Sequence, residues 1–139
     1  MRRRTWACMA AIAAFVVVTA WAADRPEDDA QAAAQPWLKL VDTGKYEASW
    51  DQAAKLFKAS VTKQQWKQAA TAARSPLGKL ISRKVKSSEY MNRIPGAPDG
   101  NYVIIQFTSV FEAKESAVET LTATLDSDGV WRVSGYFIR

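Results

Sequence analysis

The chain has 139 residues, with 19 Lys and Arg against 14 Asp and Glu, one cysteine and no histidine. Without histidine it lacks the imidazole ligands on which zinc, copper and haem sites usually draw, and both Ser-His-Asp and Cys-His nucleophilic pairs are excluded. The length suits one domain, whose folding buries about two thirds of the surface that the unfolded chain exposes.

Arg2, Arg3 and Arg4 precede an apolar run over residues 5–18, which closes on Ala20, Trp21 and Ala22. A cationic start, an apolar segment too brief to span a bilayer comfortably, and small residues three and one before a cut after Ala22 are the parts of a secretory signal peptide. Residues 1–22 are therefore expected to be a signal, and the protein to be exported, periplasmic or secreted, with no stable membrane span after cleavage. The alternative is an uncleaved amino-terminal anchor that includes Trp21 and Ala22. Cys8 sits near the start of the apolar run rather than just after it, which disfavours lipid attachment. Cleavage would carry that thiol away, leaving no disulfide or redox chemistry. It would also take the basic count from 19 to 16 against 14 acids, a nearly neutral domain with a basic helical half and a mildly acidic second half.

Residues 23–29 are acidic and polar, without apolar periodicity, and read as a flexible tail ahead of a single domain over residues 30–139. Ala30, Ala33, Ala34, Trp37, Leu38 and Val41 recur at three- and four-residue steps, which places them on one face of a helix that Pro36 should kink or restart and Gly44 should stop. A second helix is expected from the capping-box pair Ser49 and Gln52, with the stripe Trp50, Ala53, Ala54 and Phe57. A third opens with Thr62 and Gln65 and carries Trp66, Ala69, Ala70 and Ala73 up to Pro76 and Gly78. The tryptophans at these phases, with Trp131 later in the chain, are expected in the core.

After Gly78 the period changes from helical to alternating, and four strands follow. Residues 80–90, with Arg83, Lys84 and Lys86, have the composition of an exposed edge. Residues 95–100 form an extended turn. Residues 102–111 place Val103, Ile105, Phe107 and Phe111 on one face; residues 115–125 form the third strand, residues 126–129 a tight hairpin turn, and residues 130–138 the fourth strand, with Trp131, Val133, Gly135 and Phe137 on a common face. Three helices ahead of four hairpin-linked strands predict an α+β domain with an antiparallel sheet.

The ordered series Trp37-Leu38, Gly44-x-Tyr46, Ser49-Trp50, Trp66, Arg74, Leu77-Gly78, Ser82-Arg83, Pro95-Gly96-x-Pro98-x-Gly100-x-Tyr102 and Trp131-x-Val133-x-Gly135-Tyr136 resembles the exported bacterial proteins of Domain of Unknown Function 4019. The resemblance runs over nearly all of the chain after residue 22. It implies an exported location and a curved, cone-shaped α+β fold like that of nuclear transport factor 2 and the ketosteroid isomerases, or cystatin-like. It implies no reaction, and dimerisation through the sheet is common in that superfold.

The chain has no phosphate-cradling glycine loop, dinucleotide fingerprint or calcium loop, so no cofactor or metal is expected. The run 126–129 has calcium-like letters but no closing glutamate, and Ser60-x-x-Lys63 matches the penicillin-binding serine motif without its companion elements. Three functions fit what is left. The first is a non-catalytic binding or accessory module for a small apolar ligand or an envelope protein. The second is a ketosteroid isomerase-like pocket enzyme, with a carboxylate base and a tyrosine donor drawn from Tyr90, Tyr102, Glu112 and Glu119. The third is a binder of anionic envelope lipid or glycan through Lys39, Lys45, Lys55, Lys58, Lys63 and Lys67. Nucleic acid is not an expected partner, since the aromatics head apolar stripes.

Overall fold

The structure, a computed structural model, describes residues 24–139; the expected signal peptide, its cut after Ala22 and the first residue of the expected tail lie outside the described residues. Helix α1 runs over Pro26–Asp42. It therefore takes in most of the segment read as a tail. Pro26 fits the first helical turn, where a missing N–H costs nothing, and Glu27, Asp28 and Asp29 face the positive end of the helix dipole. Pro36 neither ends nor restarts the helix. The buried stripe Ala30, Ala34, Trp37, Leu38 and Val41 continues through it, so packing outweighs the lost backbone bond.

The expected second helix is two short ones, α2 over Tyr46–Asp51 and α3 over Lys55–Ser60, so four α-helices replace the three expected among the described residues. The break has a cause in the sheet. Between the two helices the Ala54 N–H donates to the Val133 carbonyl at 2.8 Å, which an amide bonded inside a helix could not do. Ser49 is no cap either. It is buried inside α2, where its hydroxyl donates to the Tyr46 carbonyl at 2.6 Å. The third expected helix forms as read: α4, Lys63–Arg74, opens with the full capping box of Thr62 and Gln65. Its buried positions are Trp66, Ala70 and Arg74, while Ala69 and Ala73 are exposed.

A single 3-10 turn, Ser75–Leu77, leads to Gly78, whose φ of +72° a side chain would resist, the more so because an added Cβ would lie 3.0 Å from Glu112. Strands β1 (Leu80–Met91), β2 (Tyr102–Phe111), β3 (Lys114–Leu125) and β4 (Trp131–Ile138) then form an antiparallel meander in the order β1-β2-β3-β4. The helices cover one face, where Val103, Ile105, Phe107, Leu121, Ala123 and Val133 meet Trp37, Leu38, Phe57 and Trp66 in the core.

Register departs from simple alternation in β4. Ala123 pairs with Val133 but Thr122 with Gly135, so Ser134 is an extra residue in a bulge. The bulge moves the inward position from Phe137 to Tyr136, leaving Phe137 56% exposed, against the expected face.

Candidate functional site

The four residues expected in a pocket do not meet. Tyr90 is exposed near the end of β1 and donates to Asn101 at 2.6 Å. Tyr102 is buried, but its hydroxyl donates to the Pro98 carbonyl in the preceding loop. Glu112 is exposed at the β2–β3 turn beside Gly78. Glu119 alone enters the core, fully buried in the middle of β3.

Around Glu119 five elements deliver charged and hydroxyl groups. Arg83 of β1 donates to it twice, from Nε at 2.7 Å and from Nη2 at 2.9 Å; Ser109 of β2 donates to Oε1, and Tyr136 of β4 to Oε2. Asp42, the last residue of α1, accepts from Arg83 at 2.8 and 2.9 Å and from Arg74 of α4 at 2.8 Å. The result is a chain of two carboxylates and two guanidinium groups with no net charge, under the helices. Burial opposes ionisation of Asp42, but the hydrogen bonds and charge of Arg83, then of Arg74, outweigh it and hold its carboxyl below the usual range. Burial also opposes the charge on Arg83, which its bonds to Asp42 and Glu119 raise well above the ordinary guanidinium value. Burial, then the charge of Glu119, drives the Tyr136 hydroxyl far above the normal phenol value.

Two arginines that the sequence did not assign to a site are thus in this cluster. Arg83, read as a charge on an exposed edge, is a tenth exposed at its side chain. Arg74 is buried, with Nε and Nη1 lacking hydrogen-bond partners, and its guanidinium lies 4.8 Å from the Phe111 ring centre, which compensates part of the desolvation. A signal for the cluster was present in the chain. Arg74 keeps the phase of Trp66 and Ala70, Ser109 that of Phe107 and Phe111, and Glu119 that of Ala117 and Leu121, all polar residues at core positions.

Chemically the cluster is closed. The four acceptor positions of Glu119 are filled by four donors, so no lone pair is left to take a substrate proton. Tyr136 donates to Glu119 and has no proton to offer an oxyanion. Among the described residues no group of three or more Asp, Glu or Cys side chains is placed to hold a metal ion.

Open space lies elsewhere. A cleft of about 530 Å³ runs between α1 and the β3–β4 hairpin, lined by Ala33, Pro36, Trp37 and Leu40 on one side and Val130, Trp131 and Val133 on the other. Its polar lining is Gln52 and Arg132. Arg132 is occupied by Asp126 at 3.0 Å and Asp128 at 2.9 Å. The volume falls within the range of small-molecule sites, and the lining is mostly apolar as such sites are. Trp37 belongs to both the core and the cleft wall. Trp37 and Trp66 are core residues whose indole N–H groups both go to Ser49, at 2.9 Å each, and half-buried Trp131 lines the opposite wall of the cleft. The basic helical side is partly neutralised: Lys63 pairs with Asp51 and Lys67 with Glu47, each at 2.8 Å, and Lys58 and Lys63 lie over the Trp50 ring.

These features define a small α+β domain with a charge-neutral polar cluster in its core and an apolar cleft beneath its first helix. The family described as "Protein of unknown function (DUF4019)" matches residues 33–136, and the chain belongs to it. No curated protein matches the chain. No helix among the described residues is long and apolar enough to cross a membrane.

Proposed function

We propose that the protein is an exported, non-catalytic binding or accessory module, and that its ligand site is the cleft between α1 and the β3–β4 hairpin. The cleft carries this reading. It is open, mostly apolar and of ligand size, while the one buried carboxylate of the sheet is held by four donors. The same reading takes the helix layer and antiparallel sheet as a member of the cone-shaped class of nuclear transport factor 2. The ligand is a small apolar molecule or an apolar side chain of an envelope protein, since the cleft has one neutral polar side chain and an arginine already paired.

The test is native mass spectrometry of the protein purified from the compartment it reaches, joined to binding of a fluorescent apolar dye. Export predicts a chain that begins at Ala23. A retained small molecule or a stoichiometric protein partner is expected, and Val130→Asp, at a position 45% exposed, should weaken dye binding about tenfold without lowering the melting temperature. An unprocessed cytoplasmic chain would end the export reading. Dye affinity unchanged by Val130→Asp would remove the cleft as the site.

A further inference from the structure

Strand β4 is the last strand of the sheet, and among the described residues one of its sides has no neighbouring strand. Val118 and Arg139 exchange both backbone hydrogen bonds, at 2.9 and 3.1 Å. In an antiparallel ladder such pairs recur at every second residue. Thr120 lies opposite Phe137 and Thr122 opposite Gly135, so residues 135, 137 and 139 turn their N–H and C=O groups toward β3. Tyr136 and Ile138 turn theirs away from it. Beyond the bulge Val133 also points outward, and there the Ala54 N–H covers its carbonyl at 2.8 Å. Among the described residues no backbone group covers Tyr136 or Ile138.

The two edges of the sheet are treated differently. On β1 the charges of Lys84 and Lys86 and register shifts after Leu80 and after Val85 obstruct pairing with another strand. On β4 the uncovered stretch is Tyr136-Phe137-Ile138, with no charge, and Phe137 is 56% exposed. Beside it the small side chains Ala69 and Ala73 of α4 frame a groove of about 220 Å³ with these same residues, leaving room for a chain to approach the edge.

We propose that this edge is filled by a second copy of the chain, β4 against β4, antiparallel about a twofold axis at Phe137. The register is self-complementary. Tyr136 of each copy faces Ile138 of the other, and the two pairs exchange four backbone hydrogen bonds with the groups left free. Phe137 then lies opposite its own counterpart as a non-hydrogen-bonded pair, where side chains approach most closely and two aromatic rings favour the contact. Arg139 lies opposite Gly135, so no like charges meet. The product is one continuous eight-stranded sheet with isologous contacts.

Sedimentation equilibrium of the purified chain from micromolar to millimolar concentration should show a monomer–dimer equilibrium. Ile138→Pro removes an outward N–H, and Phe137→Lys sets two cations opposite each other; each should abolish the dimer with circular dichroism and melting of the monomer retained. Phe137→Cys in a Cys8→Ser background should give a reductant-sensitive covalent dimer on mild oxidation, because Cα atoms of such a pair lie about 4.5 Å apart, within disulfide reach. Val85→Cys, on the guarded edge, should remain single. A monomer at every concentration overturns the proposal. So does a dimer that survives both β4 variants, or a wild-type monomer that instead takes up another protein's strand at Ile138.

Discussion

Glu119 accepts four hydrogen bonds while fully buried, and its energetics are those of a structural group. Removing one partner of a buried charged pair costs about 3–5 kcal/mol, because the other charge stays desolvated. Glu119→Gln should therefore lower stability by about that amount in urea denaturation, and Tyr136→Phe, which removes one hydrogen bond to a charged group, by about 1.5–3 kcal/mol. A Glu119→Gln protein as stable as the wild type would show that the cluster does not hold the fold. Asp42 adds a pH dependence. Its carboxyl is held below its usual range in the native state, so the unfolded chain binds the proton first. Its contribution is complete above about pH 4 and is lost as pH falls below that toward the native value. Denaturation midpoints measured between pH 2.5 and 6 should drop on the acid side, and Asp42→Asn should flatten that part of the slope.

At the scale of elements, local signals held where they closed on themselves and failed where a distant group competed. The capping box of α4 needs only Thr62, Gln65 and the backbone between them, and it formed. Thr62→Ala should cost about 1 kcal/mol, read from the same denaturation curves. The equivalent letters at Ser49 and Gln52 did not cap, since Trp37 and Trp66 both direct their indole N–H groups to Ser49 from other helices. Pro36 makes the opposite case. It sits in a continuous helix on an exposed position, with its backbone bond missing. Pro36→Ala should restore that bond and raise stability by about 1–3 kcal/mol.

Over the whole molecule the helix layer and the sheet are joined by aromatic packing around one tryptophan. Trp66 contacts Trp37 at 5.7 Å, Phe57 at 5.1 Å and Tyr136 at 6.3 Å between ring centres. Trp66→Ala removes all three contacts, leaves the Ser49 hydroxyl without its donor, and should cost about 3–5 kcal/mol. Trp50→Ala, at a half-buried ring on the rim of the core, should cost less, and calorimetry of the two variants would order them.

The sequence by itself determined the α+β class, the four strands in order and the hairpin turn at 126–129, because period and turn chemistry are local. It also carried the family, through many weak matches in order. Only the tertiary structure decided which polar residues left solvent. Arg74, Arg83, Ser109 and Glu119 are spread over 46 positions from first to last, and their meeting depends on register between strands and on where α1 ends. It decided as well that Tyr136, not Tyr90 or Tyr102, joins Glu119. One extra residue at Ser134 set that choice, since a strand has two faces and a bulge exchanges them, turning a tyrosine inward and a phenylalanine out.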